Sequence, residues 1–88
     1  MEDLTQLRQK LDIIDETMAN LFEQRMEVIE NVRIYKRQNN LPILDSNREN
    51  SMLEKNSKYI RDPELIPYYE EFLRAVTGIS KEYMKTKK

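Results

Sequence analysis

The chain has 88 residues, 39% of them hydrophobic and 35% charged, with a formal net charge of -1. That length suits one domain, residues 1–88, near the size where a single core is marginal, and the balanced charge gives no basic field to recruit nucleic acid. One Gly and three Pro leave little turn chemistry for an all-β fold, and the lack of Cys and His removes disulfides, thiol nucleophiles, the usual zinc sites and the commonest general base.

The opening stretch, MEDLTQLRQK, is charged and reads as neither a signal peptide nor a membrane span, so a cytoplasmic protein is expected. From Leu4 the apolar positions run Leu7, Leu11, Ile14, Met18 and Leu21, then Val28, Val32 and Tyr35. Steps of three and four make this a heptad seam, uninterrupted by Gly or Pro, and predict a first helix over about 4–38. Such a helix is roughly 50 Å long, whereas a compact chain of this size has a radius of gyration near ~12 Å. Part of the seam therefore calls for a second chain.

After the break at Asn39-Asn40-Leu41-Pro42, Asp45 is placed to cap a second helix over about 46–59, with Met52, Leu53, Tyr59 and Ile60 as its apolar positions. Asp62 and Pro63 then restart the chain as a third helix over about 63–84. Its expected inner face is Leu65, Tyr69, Phe72, Val76 and Tyr83. The fold class is all-α, with three helices.

Polar residues interrupt these faces. Arg25 stands where the seam between Leu21 and Val28 requires an apolar side chain, and an unpaired guanidinium is costly to bury. A register-setting ion pair or a snorkelling stem would account for it, and so would a bound anion. Lys36 lies eleven residues on, within about 20° of the same face, with its Cα roughly 16 Å away. Two long side chains can close that gap around a small anion. Arg8, seventeen residues before Arg25, points about 100° away and could serve the same site only from another chain. In the second helix Arg48 and Glu49 sit directly above Met52 and Leu53. For them a first-turn surface pair, with Glu49 favoured by the helix dipole, is the alternative to a site. Ser80 lies on the stripe of Val76 and Tyr83, where a hydroxyl can also return to its own backbone. Together these residues describe a mostly cationic pocket for a small polyanion that carries a hydroxyl.

The stretches LRQKLDIIDETMANLFEQR, YK, LPILDSNRE and ISKEY, across nearly the whole chain, resemble the all-helical class of chorismate mutase. The combined spacing of Arg8, Asp15, Arg25, Lys36 and the Asp45-x-x-Arg48-Glu49 group carries the resemblance. It implies an intertwined homodimer with two sites, each taking Arg8 from the partner chain. Arg8 and Arg25 would hold the two carboxylates of chorismate, and Lys36 the ether oxygen of the breaking bond. Glu49, with the backbone near Asp45, would take the ring hydroxyl; Arg48 and Ser80 would complete the shell, and Asp15 would be structural. The implied reaction, chorismate to prephenate in phenylalanine and tyrosine biosynthesis, needs no cofactor and no metal. Met84 occupies the position where the family usually has a glutamine or protonated glutamate, and it has no donor. An isochorismate pyruvate lyase would share Arg8, Arg25 and Lys36, but the intact Asp45-Arg48-Glu49 group favours the mutase. A weak mutase-like dimerisation or regulatory module is the reading that Met84 keeps open. Neither nucleic acid nor membrane is expected as a partner.

Overall fold

The computed structural model describes residues 2–87. Asp3 begins the first helix with a reciprocal capping box: its carboxylate accepts from the Gln6 N–H, and the Gln6 side chain accepts from the Asp3 N–H. The helix, α1, runs unbroken over Leu4–Gln38. Its end is a Schellman motif. Asn40 takes the left-handed conformation at φ 54°, Asn40 N–H reaches Arg37 O at 3.4 Å, and Leu41 N–H reaches Lys36 O at 2.8 Å.

Asp45 caps α2, Ser46–Ser57, through a 3.0 Å bond from the Arg48 N–H to its Oδ1. The helix stops two residues short of the expected end. Tyr59 is 67% exposed beyond it and takes no part in the packed face. Asp62 caps a short 3-10 turn, Pro63–Leu65, which leads directly into α3, Ile66–Thr86. The expected third helix is thus a tight entry turn followed by an α-helix that continues to Thr86.

α3 packs against both α1 and α2, while among the described residues α1 and α2 do not pack against each other. An open space is left between them, with α3 as its floor. The face of α3 that turns inward is Leu73, Ser80 and Met84, all buried. This corrects the expected stripe in part: Tyr69, Val76 and Tyr83 are half-buried, but Leu65 and Phe72 are about half exposed, at 52% and 51%. Leu73 lies one residue, hence about 100°, round the helix from Phe72.

The single chain is an elongated body of 56 × 27 × 16 Å, with a radius of gyration of 16.3 Å. The C-terminal half of α1 contributes Met26, Ile29 and Val32, which are half-buried. The N-terminal half stands clear, with Leu4, Leu7, Leu11, Ile14, Met18 and Leu21 exposed. No helix among the described residues is long and apolar enough to cross a membrane.

A polar clamp fastens α3 to α1 beside the open space. Arg33 forks onto Glu30 at 2.5 to 3.2 Å, and the Tyr83 hydroxyl donates at 2.7 Å to Oε2 of the same carboxylate, an oxygen that also accepts from Arg33 Nε. The Arg33 and Tyr83 hydrogen bonds hold the Glu30 carboxyl down at about 2, while the same bonds push Arg33 and Tyr83 upward. Because the folded-state value is depressed, the stabilisation is present above the ordinary carboxylate range and is lost as pH falls towards 2. Glu30→Gln should therefore flatten the loss of helicity between the ordinary value of 4.5 and about 2, as followed by circular dichroism. In Tyr83→Phe, Glu30 should titrate higher by NMR; an unmoved titration would mean the hydroxyl bond is not formed in solution.

Candidate active site

The space between α1 and α2 is a cleft of about 340 Å³. From α1 it receives Arg25, Ile29, Val32 and Lys36, one residue per turn on a single face. The connecting loop adds Ile43 and Asp45, and α2 adds Arg48, Glu49 and Met52. α3 supplies Thr77, Ser80, Lys81 and Met84 from its inward stripe. Apolar walls therefore surround four cations and two carboxylates.

Each cation is held differently. Arg25 donates through a terminal guanidinium nitrogen to the Ser80 hydroxyl, and among the described residues it makes no ion pair. Burial, and then the nearby positive charge of Arg48, hold its pKa below the ordinary guanidinium value. No carboxylate among the described residues pairs with it to offset these effects. Ser80 donates its own proton to Val76 O at 3.0 Å. It thus returns to the backbone and also presents a lone pair that steers Arg25, a joint role that spacing alone could not reveal.

Lys36 Nζ donates to Ile43 O at 3.0 Å, which ties the end of α1 to the loop that delivers α2. Only one of three ammonium donors is used there, so others remain for a ligand. Glu49 Oε1 meets Lys81 Nζ at 2.9 Å across the α2–α3 contact. Asp45 keeps its carboxylate on the helix cap and is itself exposed. Arg48 is exposed at the rim.

Seven of the eight candidate residues, Arg25, Lys36, Asp45, Arg48, Glu49, Ser80 and Met84, thus line one cleft. Arg8 does not. It is exposed on the free half of α1, roughly 25 Å along the helix from Arg25. Asp15 is exposed on the same half and also lies outside the cleft. Met84 is only 7% exposed, so it is a packed wall of the cleft and not part of a frayed end.

The family model for chorismate mutase type II matches residues 7–85, nearly the full length. The chain belongs to the chorismate mutase type II family. Searches of curated proteins and of solved structures gave no match. The match spans all three helices, so it includes every cleft residue as well as Arg8.

Lining residues that sequence reasoning passed over include Thr77, Lys81 and Ile43. Thr77 and Lys81 could have been found, since they lie three residues before Ser80 and Met84 and so share their helical stripe. Ile43 carried no signal, because it acts through its main-chain carbonyl.

Proposed function

We propose that the chain is a chorismate mutase, converting chorismate to prephenate within a cleft completed by a second copy of itself. The observation that carries this reading is the convergence of Arg25, Lys36, Glu49 and Ser80, from three helices, on one cleft with more cations than carboxylates. Chorismate is a dianion with a ring hydroxyl, which fits that balance. In the rearrangement an ether C–O bond breaks as a C–C bond forms between the enolpyruvyl arm and the ring. No proton is transferred and no covalent enzyme intermediate forms, so a chain without His or Cys can perform it. What the protein must supply is a folded substrate conformation and positive charge where the ether oxygen gains electron density.

In this reading Arg25, steered by Ser80, takes one carboxylate and the partner's Arg8 the other. Lys36, anchored on the Ile43 carbonyl, donates to the ether oxygen. Glu49 accepts from the ring hydroxyl with help from the backbone near Asp45, and Arg48 closes the rim. The reaction belongs to the route to phenylalanine and tyrosine. The deciding experiment follows loss of chorismate absorbance with purified protein and identifies the product; pyruvate, or no turnover, would overturn the assignment. Lys36→Ala should reduce turnover on the order of 10²–10³-fold while leaving the helical spectrum intact, because it removes a preorganised donor at the developing oxyanion.

Surface area supports the second copy. A compact monomer of 10.7 kDa exposes roughly 5,500 Å², against 7611 Å² for this chain. The excess, roughly 2,000 Å² per chain, falls in the range that obligate dimers bury. An intertwined dimer would bury the seam of α1 and bring Arg8 to the other chain's cleft. Mixing inactive Arg8→Ala chains with inactive Arg25→Ala chains should then restore activity, since a hybrid dimer regains one intact site. No recovery after verified subunit exchange would count against shared sites.

Met84 brings no donor to the ether oxygen. It packs as an adaptable wall, so Met84→Gln should fit without strain. The new amide would meet charge that exists mainly in the transition state, and kcat should rise more than KM falls. A change in kcat of less than about two-fold, under half a kcal/mol, would place residue 84 outside the reacting centre.

A further inference from the structure

The first turn of α2 carries Glu49 into the cleft, and α3 meets it with Lys81. Their 2.9 Å contact joins two separate helices, with side-chain exposures of 31% for Lys81 and 30% for Glu49. It is neither a free surface pair nor a sealed one. Among the described residues no other side chain bonds the Glu49 carboxylate. Lys81 has no part in the roles set out above, yet it lines the same cleft.

Glu49 faces a problem of choice. Arg25, Lys36 and Arg48 line the same cleft, and a glutamate has three rotatable side-chain bonds with which to reach a cation. Were it to settle on Arg25, it would neutralise the guanidinium that otherwise lacks an anion. Lys81 offers a cation on the far helix instead, and it is with Lys81 that Glu49 pairs. Lys81 meets Oε1 as an ion pair, and among the described residues no hydrogen bond occupies Oε2, which can then accept from a ligand. Lys81 also sits one residue after Ser80, so α3 orients an arginine with one side chain and a carboxylate with the next.

We propose that Lys81 is a positioning residue: it holds one oxygen of Glu49 so that the other stands fixed as the acceptor for the ligand hydroxyl, and it keeps Glu49 from neutralising Arg25. This rests on reading the cleft as the chorismate site. Lys81 acts through Glu49 and does not touch the reacting atoms.

The test is a double-mutant cycle in steady-state kinetics with chorismate, using Lys81→Met, Glu49→Gln and the pair, with Lys81→Arg as the conservative variant. Lys81→Met should lower kcat/KM about ten-fold, the worth of one oriented charge-assisted hydrogen bond, chiefly by raising KM. In the Glu49→Gln background the same change should cost less than about two-fold, because the partner is already gone. Lys81→Arg, which retains the cation, should recover most of the loss. Circular dichroism and melting temperature of each variant separate a lost fold from a lost position. Equal losses in both backgrounds, or no loss in either, would overturn the positioning role. If the wild-type chain makes prephenate and only the coupling is absent, the assignment of the cleft stands and the role of Lys81 falls. If the wild-type chain makes no prephenate, both fall together.

Discussion

A half-buried guanidinium without a carboxylate to meet it is the constraint on which this architecture turns. Arg25 has a serine hydroxyl as its partner and another cation, Arg48, nearby. Taking a charge out of water is costly unless a partner compensates it, and one neutral hydroxyl compensates only in part. The chain meets that cost by leaving the position open: α1 and α2 stand apart, and water or a ligand can reach the charge. The cleft thus lies where the cations gather. Closing α1 onto α2 would improve apolar packing and strand Arg25, Lys36 and Arg48 together.

α3 makes this separation possible. It touches both other helices and carries on one stripe the residues that organise the charges, Ser80 towards α1 and Lys81 towards α2. The Glu30–Arg33–Tyr83 clamp then fixes α3 to α1 outside the cleft. Lys36 does the same at the loop, where its bond to Ile43 O sets the distance at which α2 begins. Several polar contacts therefore fasten the helices around the cleft, a task that a hydrophobic core would otherwise perform.

Much of this was legible in the chain because it is local. The seam from Leu4 to Tyr35 carries no breaker, so α1 follows from periodicity. Asp45 and Asp62 are caps because their oxygens find main-chain N–H groups two or three residues on. Arg25 and Lys36 share a face because eleven residues is close to three turns. What escaped is tertiary. α3 has apolar residues on more than one side, and only its packing against α1 and α2 decides that Leu73 and not Phe72 turns inward. Tyr83 read as an apolar-face residue, but its ring packs while its hydroxyl binds Glu30, 53 positions away. Lys81 read as one more charge in a charged chain, and only its distance to Glu49 separates it from the rest. The carbonyl of Ile43 could not be read at all, since main-chain acceptors look alike in every sequence.

Site and stability draw on the same residues, and that overlap shapes the molecule. The inner faces of three helices are where a small domain builds its core, yet here many of those positions are charged or hydroxylic. Among the described residues the buried apolar side chains come down to Leu73 and Met84, and Met84 is itself a wall of the cleft. Burial at about 25 cal/mol per Å² over so few side chains cannot offset the cost of ordering some eighty residues. The apolar surface left to contribute lies largely on the free half of α1, where Leu4, Leu7, Leu11, Ile14, Met18 and Leu21 are exposed. Arg8 stands on that same half. A second copy that covered the seam would at once replace the core that the cleft displaced and carry a further cation towards the anion site, so assembly and binding would depend on one surface.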